Sequence, residues 1–201
     1  PRHKLTPQEH RQLAAHSITA MLVVQGAKVY PQAVADAVLE QGGDKLLQSF
    51  VEVGKVDGKN YTLPYYFGSR YMFYRKDILA EIGLEVPQTW DEVKVAMSIL
   101  SKNQMEFGML PSEQVFAMLL FQNGGRYYTD DNAASALDED VAINVFKKYC
   151  EYYTDYKLDK ETSAEERFRT GECPIIISDY TTYNNLQVSA PDILGLWDFT
   201  T

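Results

Sequence analysis

The chain has 201 residues, enough for one generous domain or two small ones with ample core. Hydrophobic residues make up 45% and the formal net charge is −9 at pH 7, which excludes a disordered chain and argues against nucleic acid or an anionic membrane surface as partner. The longest apolar runs, "AMLVV" (20–24) and "FAMLLF" (116–121), are far too short to span a bilayer.

In chain order, "TPQEHRQLAAHSITAMLVVQ" (6–25) reads as a helix, with Thr6 as N-cap, Pro7 in its first turn and Glu9 completing a capping box. A second helix is expected over 30–43, stopped by Gly42-Gly43. Asp57-Gly58 reads as a tight hairpin turn. "SRYMFYRK" (69–76) has the aromatic content of a strand, and "DILAEIG" is a short helix ended by Gly83. Thr89 and Glu92 form a capping box for a helix whose inward face carries Trp90, Val93, Met97 and Leu100. A strand is expected over 105–110, then a helix over 112–125 with Phe116, Leu119 and Leu120 inward. After the polar loop 129–138, a helix over about 139–156 shows an apolar stripe of Val141, Val145, Phe146, Tyr149 and Tyr153. Ser163 and Glu166 make a second capping box before the short helix "AEERFRT"; a strand over 173–178, a helical start near 181–187 and a last strand over 195–199 follow. Strands alternating with helices predict an α/β layered domain with a largely parallel sheet.

The chemistry-bearing residues are sparse. No Gly-rich phosphate loop follows a strand, and neither a G-x-S-x-G elbow nor an H-E-x-x-H helix is present, so no cofactor is expected. His3, His10 and His16 read as surface residues, and Cys150 and Cys173 as small buried hydrophobes; no metal site is expected. The stretch 168–184, "FRTGECPIIISDYTTYN", is the informative one. Three isoleucines deliver a dense polar and aromatic set at the strand's carboxyl end, where ligands bind in open α/β sheets. Asp179 with Glu113 could serve as the acid/base pair of a carbohydrate-active enzyme. Tyr61, Tyr65, Tyr66, Phe67, Tyr71, Tyr74, Tyr180 and Tyr183 cluster around two strand ends. They either fill a core or present the apolar faces and phenol edges that sugar rings need.

The stretch "LPYYFGSRYMFYRKDILAEIGLEVPQTWDEV" resembles the hinge strand and following helix of family 1 extracellular solute-binding proteins, the ligand-capturing subunits of ABC importers. The residues that carry the resemblance are Leu63-Pro64, Tyr74-Arg75-Lys76-Asp77, Pro87 and Thr89-Trp90-Asp91-Glu92, continuing through "LLFQNGG", "SALD", "FRTGECPIIISDY" and "APDILGLWDFT". It covers residues 58–201. The resemblance implies a periplasmic-binding-protein type II-like lobe, with a mostly parallel central sheet flanked by helices on both faces. It implies a C-terminal lobe with hinge strands over 58–201, preceded by a helical segment over 1–57 that is a partial first lobe or connecting region. Ligand contacts carried over by motif are Tyr65, Tyr66 and Phe67 in the hinge strand, Ser112, Glu113 and Gln114 at a helix start, and Asp179, Tyr180 and Tyr183 after the buried strand. The implied function is capture, without catalysis, of a small-molecule solute, a carbohydrate or oligosaccharide, for ABC transporter membrane subunits. The implied location is extracellular or periplasmic, as a lipoprotein or free. A third reading is a sensory or adaptor domain that borrows the fold.

Overall fold

The computed structural model describes residues 32–46, 48–63, 68–131, 133–161 and 163–201. The helix expected over 6–25, the three histidines, and Tyr65, Tyr66 and Phe67 lie outside the described residues. The chain divides into two compact units, Pro1–Gly68 with Gly124–Ala142, and Ser69–Asn123 with Ile143–Thr201.

In the first unit, α1 (Gln32–Gly42) and α2 (Gln48–Val53) precede a hairpin of β1 (Lys55–Val56) and β2 (Lys59–Asn60). Its two turn residues have positive φ, 49° at Asp57 and 73° at Gly58. That is the left-handed pair a two-residue hairpin loop demands, and Asp-Gly supplies it at little steric cost. Asn60 Nδ2 donates to Asp36 Oδ1 at 2.9 Å and ties the hairpin to α1.

The second unit is built on β3 (Arg70–Arg75), β4 (Phe107–Gly108), β5 (Ile175–Asp179) and β6 (Trp197–Thr200). Its helices are α3 (Lys76–Ile82), α4 (Trp90–Lys102), α5 (Glu113–Gln122), α6 (Asp140–Thr154, which belongs to this unit from Ile143 on), α7 (Ala164–Thr170) and α8 (Thr181–Ser189). The sheet order is β4-β5-β3-β6. The α/β class stands, but the expected mostly parallel sheet needs correction. Among the described residues, only β4 and β5 pair in parallel; β3 pairs antiparallel with both β5 and β6. Three strands share one direction and β3 alone is reversed between two of them. Side chains alternate the same way in both strand directions, so the residue pattern cannot report direction. The connections set it: β4 and β5 run into α5 and α8 at one edge, and β3 runs into α3 at the other.

Both faces are covered. Phe73 and Ile176 are register partners, and with Trp197 they pack on Phe168 of α7, Leu186 of α8 and Ile193. Met72 and Ile177, on the opposite face, lie beneath Val93 of α4 and Met118 of α5. Ile175 and Ile176 are fully buried, as a central strand requires, whereas Ile177 is half-buried near the strand's open end. β4 is short, and Gly108 shows why the layers close there. A Cβ on it would stand 2.7 Å from Ile176 Cγ2 and 3.2 Å from Ala164 Cβ.

The Thr89–Glu92 box forms as expected, the Ser163–Glu166 pair forms only its serine half, and the Thr6–Glu9 box lies outside the described residues. Thr89 and Glu92 make the reciprocal box, and the Ser112 and Ser163 side chains accept from the backbone N–H groups of Val115 and Glu166. Arg75 and Asp77 of the Tyr-Arg-Lys-Asp motif form a two-pronged pair at 2.9 and 2.7 Å. The buried Arg75 also donates to the carbonyls of Phe168 and Arg169 at 3.2 and 3.1 Å, joining β3 to the end of α7. The guanidinium beside Asp77 holds its carboxyl below the ordinary range, with burial opposing. In α6 the buried face carries Ala142, Val145, Tyr152 and Tyr153, and Phe146 is 54% exposed, so the face is rotated from the expected stripe. Cys173 is buried, which pushes its thiol up to about 11; Cys150 is half-buried, and both are free.

Candidate functional site

The reversal of β3 decides what meets at the sheet's open edge. Its first residue, Arg70, lies at the carboxyl ends of β4, β5 and β6, and it is the register partner of Asp179, the last residue of β5. Arg70 Nη2 donates to Gln114 Oε1 at 2.6 Å, in the first turn of α5. Three elements thus bring a cation, an amide and a carboxylate to one edge, on the sheet face covered by α4 and α5.

Asp179 is exposed, and its Oδ1 accepts from the Thr181 backbone N–H at 2.8 Å and from the Thr181 hydroxyl. This carboxylate therefore closes an Asx turn at the approach to α8. Ser112 is the N-cap of α5, with its Oγ accepting from Val115 N–H at 3.2 Å. Its carbonyl accepts from Tyr149 Oη at 3.4 Å, and Tyr153 Oη donates to the Met109 carbonyl at 3.1 Å. Burial raises the pKa of both phenols, so they stay protonated donors. Glu113 is exposed on the first turn of α5.

Tyr180 and Tyr183 are exposed by 37% and 43%. The Tyr180 backbone N–H donates to the Ser69 carbonyl at 3.1 Å, which fastens the start of α8 to the approach of β3. The Tyr183 ring packs edge-on against Trp197 and Phe199, with centroids at 5.6 and 5.7 Å, and Phe199 in turn meets Tyr71 at 5.4 Å. These aromatics occupy the face of Phe73, opposite the face of Arg70 and Asp179. The structure therefore brings Gln114 and Asp179 together around Arg70 and sets the Tyr183 ring on the other side of the sheet.

A cleft of about 290 Å³ opens beside Arg70, between the sheet and the helices α4 and α5. Met72, Trp90, Met118 and Ile177 give it apolar walls, and Gln88 and Gln122 add amides. Trp90 Nε1 donates to Gln122 Oε1 at 2.8 Å, and the ring packs on Tyr152 at 5.6 Å. Sequence reasoning missed Arg70 as a site residue and took Trp90 as core. The signal for Arg70 was a basic residue opening an otherwise aromatic strand. It pointed to the site only once the strand's direction was known.

A profile of bacterial extracellular solute-binding proteins matches residues 4–192. The sn-glycerol-3-phosphate-binding periplasmic protein of Agrobacterium fabrum is 27% identical over 176 residues, covering 77% of this chain and 40% of that protein. The arabinooligosaccharide-binding protein of Halalkalibacterium halodurans is 25% identical over 109 residues, covering 52% of this chain and 24% of that protein. The fold is similar to that of an ABC transporter solute-binding protein from Thermotoga lettingae solved with bound α-D-tagatose. The TM-score is 0.70 at 20% identity, over 86% of this chain and 48% of that one. This chain spans less than half the length of each of these relatives.

Proposed function

This chain belongs to the bacterial extracellular solute-binding protein family, and we propose that it contributes one lobe of a receptor that captures a carbohydrate for the membrane subunits of an ABC importer. The observation that carries the reading is the meeting of Arg70, Gln114 and Asp179 at the carboxyl edge of the sheet, beside an aromatic-walled cleft. Such an edge is where open α/β sheets take ligands. Relatives named for arabinooligosaccharide and glycerol phosphate, and a similar fold holding tagatose, support a polyol as the solute. Residues 58–201 would be the C-terminal lobe and the segment before them a connecting part. The contacts would come from Tyr65, Tyr66 and Phe67, from Ser112, Glu113 and Gln114, and from Asp179 and Tyr180; the Tyr183 ring, packed on Trp197 and Phe199 across the sheet, is left out of them. The relatives are binding proteins, and this reading assigns Asp179 and Glu113 to hydrogen bonding rather than to acid/base chemistry. It places the receptor outside the cytoplasmic membrane.

The test is calorimetry on the full-length natural protein against mono- and oligosaccharides. Asp179→Ala should weaken binding by about 1–3 kcal/mol, because solute hydroxyls lose a charged acceptor. Unchanged affinity for every sugar bound by the parent would remove Asp179 from the site. Turnover of aryl glycosides would replace binding with catalysis.

A further inference from the structure

We propose that Arg70 anchors an oxyanion carried by the solute, a carboxylate or a phosphoryl group, so that the captured molecule is an acidic polyol. This rests on the solute-capture reading above and names the chemistry of its ligand. The described residues include five arginines. Arg75, Arg126, Arg167 and Arg169 each form an ion pair with a carboxylate, at 2.5 to 3.1 Å. Arg70 makes none within 4 Å among the described residues; its hydrogen bond goes to the neutral amide oxygen of Gln114.

Asp179 sits opposite Arg70 in the ladder but makes no ion pair with it, and its Oδ1 accepts from the backbone and hydroxyl of Thr181. Its field and that of Tyr153 reach the guanidinium, yet burial outweighs them and holds the Arg70 pKa below its usual value. The cation is therefore half-buried and incompletely neutralised, a state that an arriving anion relieves. A guanidinium offers five donors in a fixed fork, and Gln114 uses one edge of it. The remaining donors suit a carboxylate or phosphate, which they would meet in two-pronged fashion. The adjoining cleft, with the Trp90 ring as a wall and Gln88 and Gln122 as amides, has room for a sugar-sized ring attached to that anion.

The experiment is calorimetry on the full-length natural protein at physiological salt. Glucose and galactose are compared with their uronates and 6-phosphates, for the parent, Arg70→Met and Arg70→Lys. At least one acidic member should bind about ten- to a hundredfold more tightly than its neutral parent sugar, as a charged hydrogen-bonded contact gives. Preference for uronate or for phosphate identifies which anion is read. Arg70→Met should bring the acidic ligand down to the neutral one's affinity and leave the neutral one unmoved, while Arg70→Lys recovers part of the preference. Equal or tighter binding of the neutral sugars by the parent overturns the inference and leaves solute capture standing. Equal weakening of both series in Arg70→Met also overturns it, and would make Arg70 a clip between β3 and α5. Failure of every sugar, neutral or acidic, to bind overturns both readings. The parent comparison needs no variant, so misfolding of Arg70→Met would not spare the inference.

Discussion

At the scale of single residues, the Arg75–Asp77 pair shows how a surface-looking motif can be internal wiring. Arg75 has a side chain only 9% exposed, Asp77 is 34% exposed, and the guanidinium is shared between Asp77 and the carbonyls that end α7. Asp77→Asn should cost about 1–2 kcal/mol at neutral pH, allowing for solvent screening of the carboxylate. Arg75 lowers the folded-state pKa of Asp77 below its ordinary 3.8. The stabilisation is therefore fully present above that value and is lost as the pH falls through the lower, folded value. Urea unfolding of parent and variant should show a gap at pH 7 that closes as the pH drops below 3.8. A gap that persists in acid would assign the cost to packing instead of charge.

Among the elements, β5 is where core and site share one strand. Ile176 is fully buried between Gly108, Phe73 and Ala164, so Ile176→Ala should cost about 2–5 kcal/mol through the cavity it leaves. A near-zero change in unfolding free energy would contradict the packed environment of the strand. Features that depend on a few neighbouring residues were legible in the sequence: the Thr89–Glu92 box, the Ser163 cap, the Asp57-Gly58 turn, the burial of Ile175 and Ile176. Features decided by distant contacts were not. The α6 stripe came out rotated because Ala142 and Tyr152 are buried while Phe146, whose ring meets those of Phe116 and Tyr149, stays largely exposed. Arg70 stayed hidden for the same reason. Nothing within "GSRYMFYRK" tells whether β3 runs with or against β5, and that direction moves Arg70 from one edge of the sheet to the other.

For the whole molecule, capture implies a thermal signature. A ligand that binds only the folded protein stabilises it by mass action, by about 2.7 kcal/mol at a hundred times its Kd. Melting of the full-length protein should therefore rise steadily with the concentration of its solute and remain flat with unrelated sugars. A melting point indifferent to every solute in the panel would count against a receptor. The net charge of −9 bears on the same scale, since it opposes the approach of an anion at long range. An acidic solute would then associate faster as salt screens that field, while a local cation supplies the hold.

The chain has two tryptophans, and the sheet keeps them apart. Trp197 is 6% exposed and packs on the face of Phe73, away from the cleft, whereas Trp90 walls the cleft itself. Each face thus carries its own optical reporter. With Trp197→Phe, the emission left from these 201 residues comes from the indole beside Arg70, and entry of a solute should shift its wavelength or quench it. With Trp90→Phe, the emission left from these residues comes from a core ring on the face away from the cleft, and that contribution should stay constant as ligand is added. A ligand-dependent signal that survives Trp90→Phe and disappears with Trp197→Phe would put the solute on the other side of the sheet.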